Sequence, residues 1–558
     1  MDMDRLFTYF YPILWILSRL YFQIVNIAFD LVNFVIPKTA VDPLPNDETG
    51  HLLLLSATKS AEMIRTGEIT SSKLVQVYIN RIKQVNPLVN AVVTEMFDEA
   101  MEGAEKVDQY LANLNKDGQE FEQTQPLLGI PCTIKDNIKV QGCVSLAGNR
   151  EFVNNMPNDR DAELLCVHLK RNQLESKTGT HSLSLSLTSV TSHTDLVSSH
   201  NSRVFRLRDA GAIILATTNL PLFGNGWECE SVVTGRTSNP YDLRRSPGGS
   251  SGGEAALIGS AASLFGIGND YGGSIRLPSY MCGIFGLKPS KDIVPLDGTI
   301  TDPTLPNLKR VNVDGTMCRF AEDLGLILKV LVGENIATNT LNLDRTIDLS
   351  KIRIFYMEEL NTIITETMHS EPRAALREAV LYFENKYAIH GHRMDLPLAH
   401  RVFELYCAVV AGDELIAESS ASFPQKFGKC IKNVAQFLFR DINMTSMTLE
   451  YNFQEKCEKL REQVISLLAD DGVLLIPVLP TLAPYHKQIQ FTQFNFTYTS
   501  LFSALRLPSV ACPLGLDPHT GTPLGIQIIG KPHSEALLIT VAQELEKGFG
   551  GWAQPGTV

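Results

Sequence analysis

Two glycine-serine clusters lie close together in this chain, and serine is a side chain that can be turned into a nucleophile. The first is Ser246-Pro247-Gly248-Gly249-Ser250-Ser251-Gly252-Gly253, and the second is Asp270-Tyr271-Gly272-Gly273-Ser274-Ile275-Arg276. Between them runs a small-residue apolar segment, Glu254 to Ile267. Glycine lets other groups approach the backbone closely, and N–H groups in such turns can converge on an anion. The pair reads as two walls of one site. A flexible linker shares the composition, but Leu257, Ile258, Leu264, Phe265 and Ile267 have no use in a linker. A phosphate-cradling loop would end in Gly-Lys-Ser/Thr, where this chain has Gly252-Gly253-Glu254. The run Gly266 to Gly272 only partly matches a dinucleotide fingerprint. Gly248-Gly249-Ser250-Ser251-Gly252 fits the Gly-x-Ser-x-Gly pattern of a nucleophile elbow. An elbow follows directly on an apolar strand, however, and Arg244-Arg245-Ser246-Pro247 precede this one. What remains is serine chemistry without an obvious histidine partner.

The elements around these clusters alternate between strand and helix patterns. Pro126 to Asn137 reads as an apolar strand that ends on Lys135. A lysine there is ordinarily a snorkelling or paired surface charge. Ala212 to Ala216, Gly472 to Val478 and Leu524 to Gly530 read as further strands. Ser56 to Arg65, Ser71 to Val85, Met96 to Leu114 and Ser534 to Lys547 read as helices with polar starts and apolar stripes. Such alternation predicts an α/β fold, a mixed sheet with helices on both faces.

Composition narrows the class. With 558 residues, 44% hydrophobic and 20% charged, the chain has a sizeable core. Its formal charge of −12 argues against nucleic acid as a partner. Ten cysteines without a Cys-x-x-Cys pair suggest neither a zinc site nor a disulfide framework. Residues 1–40 differ from the rest: Leu6 to Ile36 is almost wholly apolar and long enough to cross a bilayer once. Arg19, Gln23, Asn26, Asp30 and Asn33 fall on one helical face in steps of four and three. That stripe allows a spanning helix packed through its polar face or an amphipathic helix in the interface. Both readings predict attachment to a membrane, most simply an endomembrane.

From about Ala57 onward the chain resembles the amidase signature family. Gly129-Ile130-Pro131, Ile134-Lys135-Asp136-Asn137 and Asn239-Pro240-Tyr241-Asp242 carry the likeness, with both glycine-serine clusters and Gly286-Leu287-Lys288-Pro289. The apolar N-terminus makes it most similar to membrane-anchored members that hydrolyse fatty-acid amides. The resemblance implies a single large α/β/α domain, residues 41–558, around a mixed sheet. It also implies a Ser-Ser-Lys triad: Ser274 as nucleophile, Ser250 as a bridging serine on a cis peptide bond, and Lys135 as base. A serine hydroxyl needs such a base, and lysine can serve only when neutral, which burial favours. Backbone N–H groups of Tyr271, Gly272, Gly273 and Ser274 would hold the oxyanion, while Asp270 and Arg276 would brace their loop. No metal or cofactor is expected, and a homodimer stays open.

Three departures accompany the likeness. Tyr271 stands where isoleucine is common, and Thr316 replaces a usual proline. Between Cys166 and Val204 the family has no gap, whereas here residues 167–203 intervene, rich in serine and threonine. Reading Cys166 directly into Val204 aligns Ala162, Cys166, Leu207 and Ala210 on one helical face. The segment therefore reads as a disordered excursion or as residues foreign to the mature protein. The expected activity is hydrolysis of long-chain acyl amides by a membrane-associated enzyme. An amidase for small or aminoacyl amides is the alternative within the fold, and a catalytically silent membrane scaffold is the alternative outside it.

Overall fold

The computed structural model describes residues 3–113, 124–158, 203–303, 305–418 and 453–557. In chain order its strands are β1 (Val92–Glu95), β2 (Pro131–Lys135), β3 (Ile213–Thr218), β4 (Glu230–Ser231), β5 (Gly235–Arg236), β6 (Phe265–Asp270) and β7 (Phe285–Lys288). They continue with β8 (Val313–Cys318), β9 (Arg353–Tyr356), β10 (Gly391–Arg393), β11 (Gly472–Pro477), β12 (Ser509–Leu516) and β13 (Pro523–Ile529). Eleven of them form one mixed sheet in the order β1-β3-β2-β6-β8-β7-β12-β13-β11-β9-β10, and β4 pairs with β5 alone.

Residues alternate between the two faces of this sheet, as strand geometry requires. On β11, Val473 and Leu475 enter a core shared with helices Ser71–Val89, Ala321–Val332, Ser370–Tyr387 and Glu535–Phe549. Leu474 and Ile476 enter a second core with helices Val402–Glu418, Phe453–Leu468 and Thr497–Ala504. Helices thus cover both faces, and β2, β3, β6, β8 and β11 are buried at every residue. This is the α/β/α architecture expected.

Boundaries differ where turns take apolar residues. The strand expected over Pro126–Asn137 is confined to Pro131–Lys135. Ile130 N–H bonds back to the Leu127 carbonyl, and Gly129 adopts φ +75°, which ends any extension upstream. The helix Arg203–Asp209 leads into β3, with Val204 and Leu207 fully buried. Of the inserted segment 167–203, residues 167–202 lie outside the described residues.

The N-terminal helix spans Met3–Phe34, and its Pro12–Phe34 part is long and apolar enough to cross a membrane by length and composition. It packs against the rest of the chain. Arg19 donates from both terminal nitrogens to the carbonyls of Thr365 (2.9 Å) and Thr362 (3.1 Å), and Ser18 Oγ donates to the Ile363 carbonyl. Asn26 donates to Glu366 and accepts from Gln488. Phe22, Val25 and Asn33 are buried on the same side, while Gln23 and Asp30, at the margin of the polar stripe, stay exposed. Facing away, Ile13, Leu17, Leu20, Ile24, Ile27 and Leu31 follow steps of four and three, each between 49% and 67% exposed.

Candidate active site

Parallel pairing of β2 with β6 puts Thr133 opposite Gly266 and Ile134 opposite Ile267. The C-terminal residues of both strands therefore meet at one edge, Lys135 from β2 and Asn269 from β6. Lys135 is fully buried, and its Nζ donates to Ser250 Oγ at 2.7 Å and to Asn269 Oδ1 at 2.5 Å. Burial lowers its pKa to about 7, against the opposing attraction of Cys229, Asp314, Asp270 and Glu254. A substantial fraction of Lys135 is then neutral near pH 7 and able to accept a proton.

The two glycine-serine clusters come together here. Ser250 follows the cis Gly249–Ser250 peptide and is fully buried. Its neighbour Ser251 donates its N–H to the Ser274 carbonyl at 3.1 Å, which stitches one cluster to the other. Ser251 also opens the helix Gly252–Gly259. Ser274 is 8% exposed, whereas Lys135 and Ser250 are wholly enclosed. The structure thus brings Lys135 onto Ser250 and ties the Ser250–Ser251 turn to Ser274 through the backbone.

Asp270 ends β6 and ties the second cluster down. Its carboxylate accepts from the N–H groups of Gly273 (2.7 Å) and Ile275 (3.1 Å) and pairs with Arg276 at 3.0 Å, both side chains being fully buried. Burial pushes the Asp270 carboxyl upward, but the Arg276 guanidinium outweighs it and holds the pKa at about 2. Arg276 is anchored in turn by the Thr499 carbonyl, Gln527 and Ser503. The Gly273 N–H, one of the four backbone donors expected at the oxyanion, is engaged by Asp270 in this structure. Gly273 itself has φ +137°, and a Cβ there would sit 2.1 Å from Thr499 Oγ1. Only glycine fits.

Tyr271 turns its hydroxyl to Asn137 Nδ2 at 3.5 Å, and burial raises its pKa. Asn137, Asn269 and Glu254 are site residues that the sequence reading does not assign a role. Glu254 is fully buried and accepts from Thr133 and Thr218 hydroxyls, with burial raising its carboxyl to about 8. The register of β2 against β6 is the signal that would find Asn269, and a single sequence does not state it.

The chain matches the Amidase family over residues 73–172 and 183–539 and belongs to it. It is 34% identical over 543 residues to human fatty-acid amide hydrolase 2, covering 93% of each chain. It is also 33% identical over 531 residues to fatty-acid amide hydrolase 2-B of Danio rerio, covering 91% of this chain and 92% of that one. A solved fatty acid amide hydrolase shares the fold at TM-score 0.67 and 20% identity, covering 91% of this chain and 87% of that one. The chain is an amidase, a hydrolase acting on amides.

Proposed function

We propose that this amidase hydrolyses long-chain acyl amides through an acyl-enzyme on Ser274, working at a membrane surface. One observation carries the mechanism: a fully buried lysine with its pKa lowered to about 7 touches Ser250 Oγ at 2.7 Å, and the next residue, Ser251, bonds its N–H to the Ser274 carbonyl. Ser274 Oγ attacks the amide carbonyl while its proton passes to Ser250 and the Ser250 proton passes to Lys135. The oxyanion is held by backbone N–H groups of Tyr271, Gly272 and Ser274. Lys135 returns the proton through Ser250 to the departing amine, and the C–N bond breaks. Water then cleaves the ester by the same relay and frees the fatty acid.

Two features support a lipid substrate. Tyr406, partly buried and edge-on to Phe496, packs against the glycine-rich loop, where its hydroxyl would lie 3.0 Å from a Cβ on Gly272, and on the same helix Phe403 pairs with Phe494. The N-terminal helix offers its outward apolar row while its other side is occupied by the rest of the chain, an arrangement suited to the interface rather than to crossing. Turnover against long-chain acyl amides and short aryl amides tests the substrate class, and Ser274→Ala is expected to abolish both turnover and fluorophosphonate labelling. Preference for short aryl amides would favour the alternative substrate class. A carbonate wash is expected to release the full chain, and retention would point to a spanning helix.

Residues 167–203 we read as surplus to this activity, because the helical pattern on either side closes across them; the family match itself omits residues 173–182 of the segment. Excision is expected to preserve or raise amidase activity. Loss of folding would show the segment to be part of the working enzyme.

A further inference from the structure

Two asparagines reach the proposed base by a chain of hydrogen bonds whose direction is fixed at its far end. The Ile300 carbonyl can only accept, and Asn137 Nδ2 donates to it at 3.1 Å. The Asn137 amide is thereby oriented, and its Oδ1 accepts from Asn269 Nδ2 at 2.9 Å. Asn269 must then present Oδ1 to Lys135, which donates to it. Asn137, Asn269 and Lys135 are all fully buried, so water does not compete for these positions. A neutral amine has two N–H bonds and one lone pair. A carbonyl oxygen cannot donate, so the lone pair finds no partner at Asn269. Of these two groups bonded to Nζ, only the Ser250 hydroxyl can donate to that lone pair.

We infer that Asn269, oriented by Asn137, is a positioning residue that takes one N–H of Lys135 and leaves the lone pair facing Ser250. The inference rests on the triad reading above. Nothing is consumed in this role: the Asn269–Lys135 bond persists when Lys135 is protonated and only the Ser250 side changes direction. In the ammonium form Ser250 accepts from Lys135; in the amine form it donates. Asn269 therefore also favours the ammonium form, opposing the effect of burial.

The Asn269→Thr and Asn269→Val pair tests this, because the two side chains are nearly the same shape and differ by one hydroxyl. Threonine can donate to Asn137 Oδ1 and accept from Lys135, which keeps the direction of the chain; valine can do neither. With decanoyl p-nitroanilide as the probe, Asn269→Thr is expected to keep kcat within about tenfold of wild type. Asn269→Val should lose a further ~100-fold in kcat with KM within about threefold, the size of a misdirected general base. The acid limb of kcat/KM should also move to lower pH in Asn269→Val, because the ammonium form has lost an acceptor. A residue that only held the fold would lower thermal stability and leave that limb in place.

Equal kcat and equal limbs in the two variants would overturn the inference. If Asn269→Val does not fold, Asn137→Leu carries the test, with an expected loss of about tenfold in kcat at unchanged KM; wild-type kcat there overturns it. Ser274→Ala separates the two levels. Turnover retained in Ser274→Ala overturns the triad and this inference together, whereas a dead Ser274→Ala with indistinguishable Asn269 variants overturns this inference alone.

Discussion

Lys135 and Lys288 occupy like positions and have unlike surroundings. Each closes a strand, β2 and β7, and because β6 and β7 both run antiparallel to β8 the two strands point the same way. Each is buried to within 1% exposure, and burial lowers each pKa to about 7. The partners differ. Lys135 meets a hydroxyl and an amide oxygen. Lys288 donates to the Leu507 carbonyl at 2.7 Å, with the nearby Arg276 charge adding to its depression. Burial makes a lysine neutral; a hydroxyl within reach makes it a candidate base. Lys288 has the first property, and the carbonyl it meets can accept a proton bond but cannot supply a proton.

The largest effect that follows is on rate. Lys135→Met should cost on the order of 10²–10⁴-fold in kcat, the range for a lost general base. Lys288→Met should stay within about tenfold of wild type, since it removes a strut from the neighbouring strand end and no proton acceptor. Steady-state kinetics on both variants, with circular dichroism to confirm folding, decide it. A comparable loss from Lys288→Met would erase the distinction between them.

The next effect is on the shape of the pH profile. On the proposed mechanism Lys135 acts unprotonated, so kcat/KM of the wild type should rise as pH passes through about 7 and level off above. Lys288→Met should keep that limb, and the residual activity of Lys135→Met should lack it. A wild-type profile that peaks in acid would remove lysine from the role of base.

How much of this can be read from the sequence follows from the range of the interactions. The runs Ile213–Thr218 and Gly472–Pro477 are short, apolar and buried on both faces, and they announce strands locally. Strand β8, Val313-Asp314-Gly315-Thr316-Met317-Cys318, carries neither an apolar run nor an alternation, yet every residue in it is buried. Its place between β6 and β7 comes from pairing, which a local pattern does not encode. Both glycine-serine clusters are visible as turns, and the family likeness links them to Lys135. Asn269 carries no local mark, because its contact with Lys135 spans 134 positions and depends on the β2–β6 register. The N-terminal stripe is visible as polar residues at helical spacing. That Arg19 and Asn26 meet Thr362, Thr365 and Glu366, more than 300 residues away, is not.

The smallest effect is on stability, and here the two lysines should behave alike. In the unfolded chain each titrates near 10.5, and in the fold each titrates near 7. Between those values the unfolded state binds more protons than the folded state, so each lysine makes stability rise with pH across that window. Each contributes a slope of about 1.4 kcal/mol per pH unit at most, and none below 7 or above 10.5. Replacing either lysine by methionine should remove its share of the slope. The stability of each variant relative to wild type should therefore improve as pH falls from 10.5 towards 7, even though Lys288→Met leaves the Leu507 carbonyl without its donor. Chemical denaturation at several pH values measures this directly. Matching slopes in the two variants, together with unequal rates, would show that the two sites share the cost of burial and differ in the hydroxyl. A flat difference for Lys288→Met would mean that Lys288 stays charged in the fold, and the likeness between the two lysines would end at their position on the sheet.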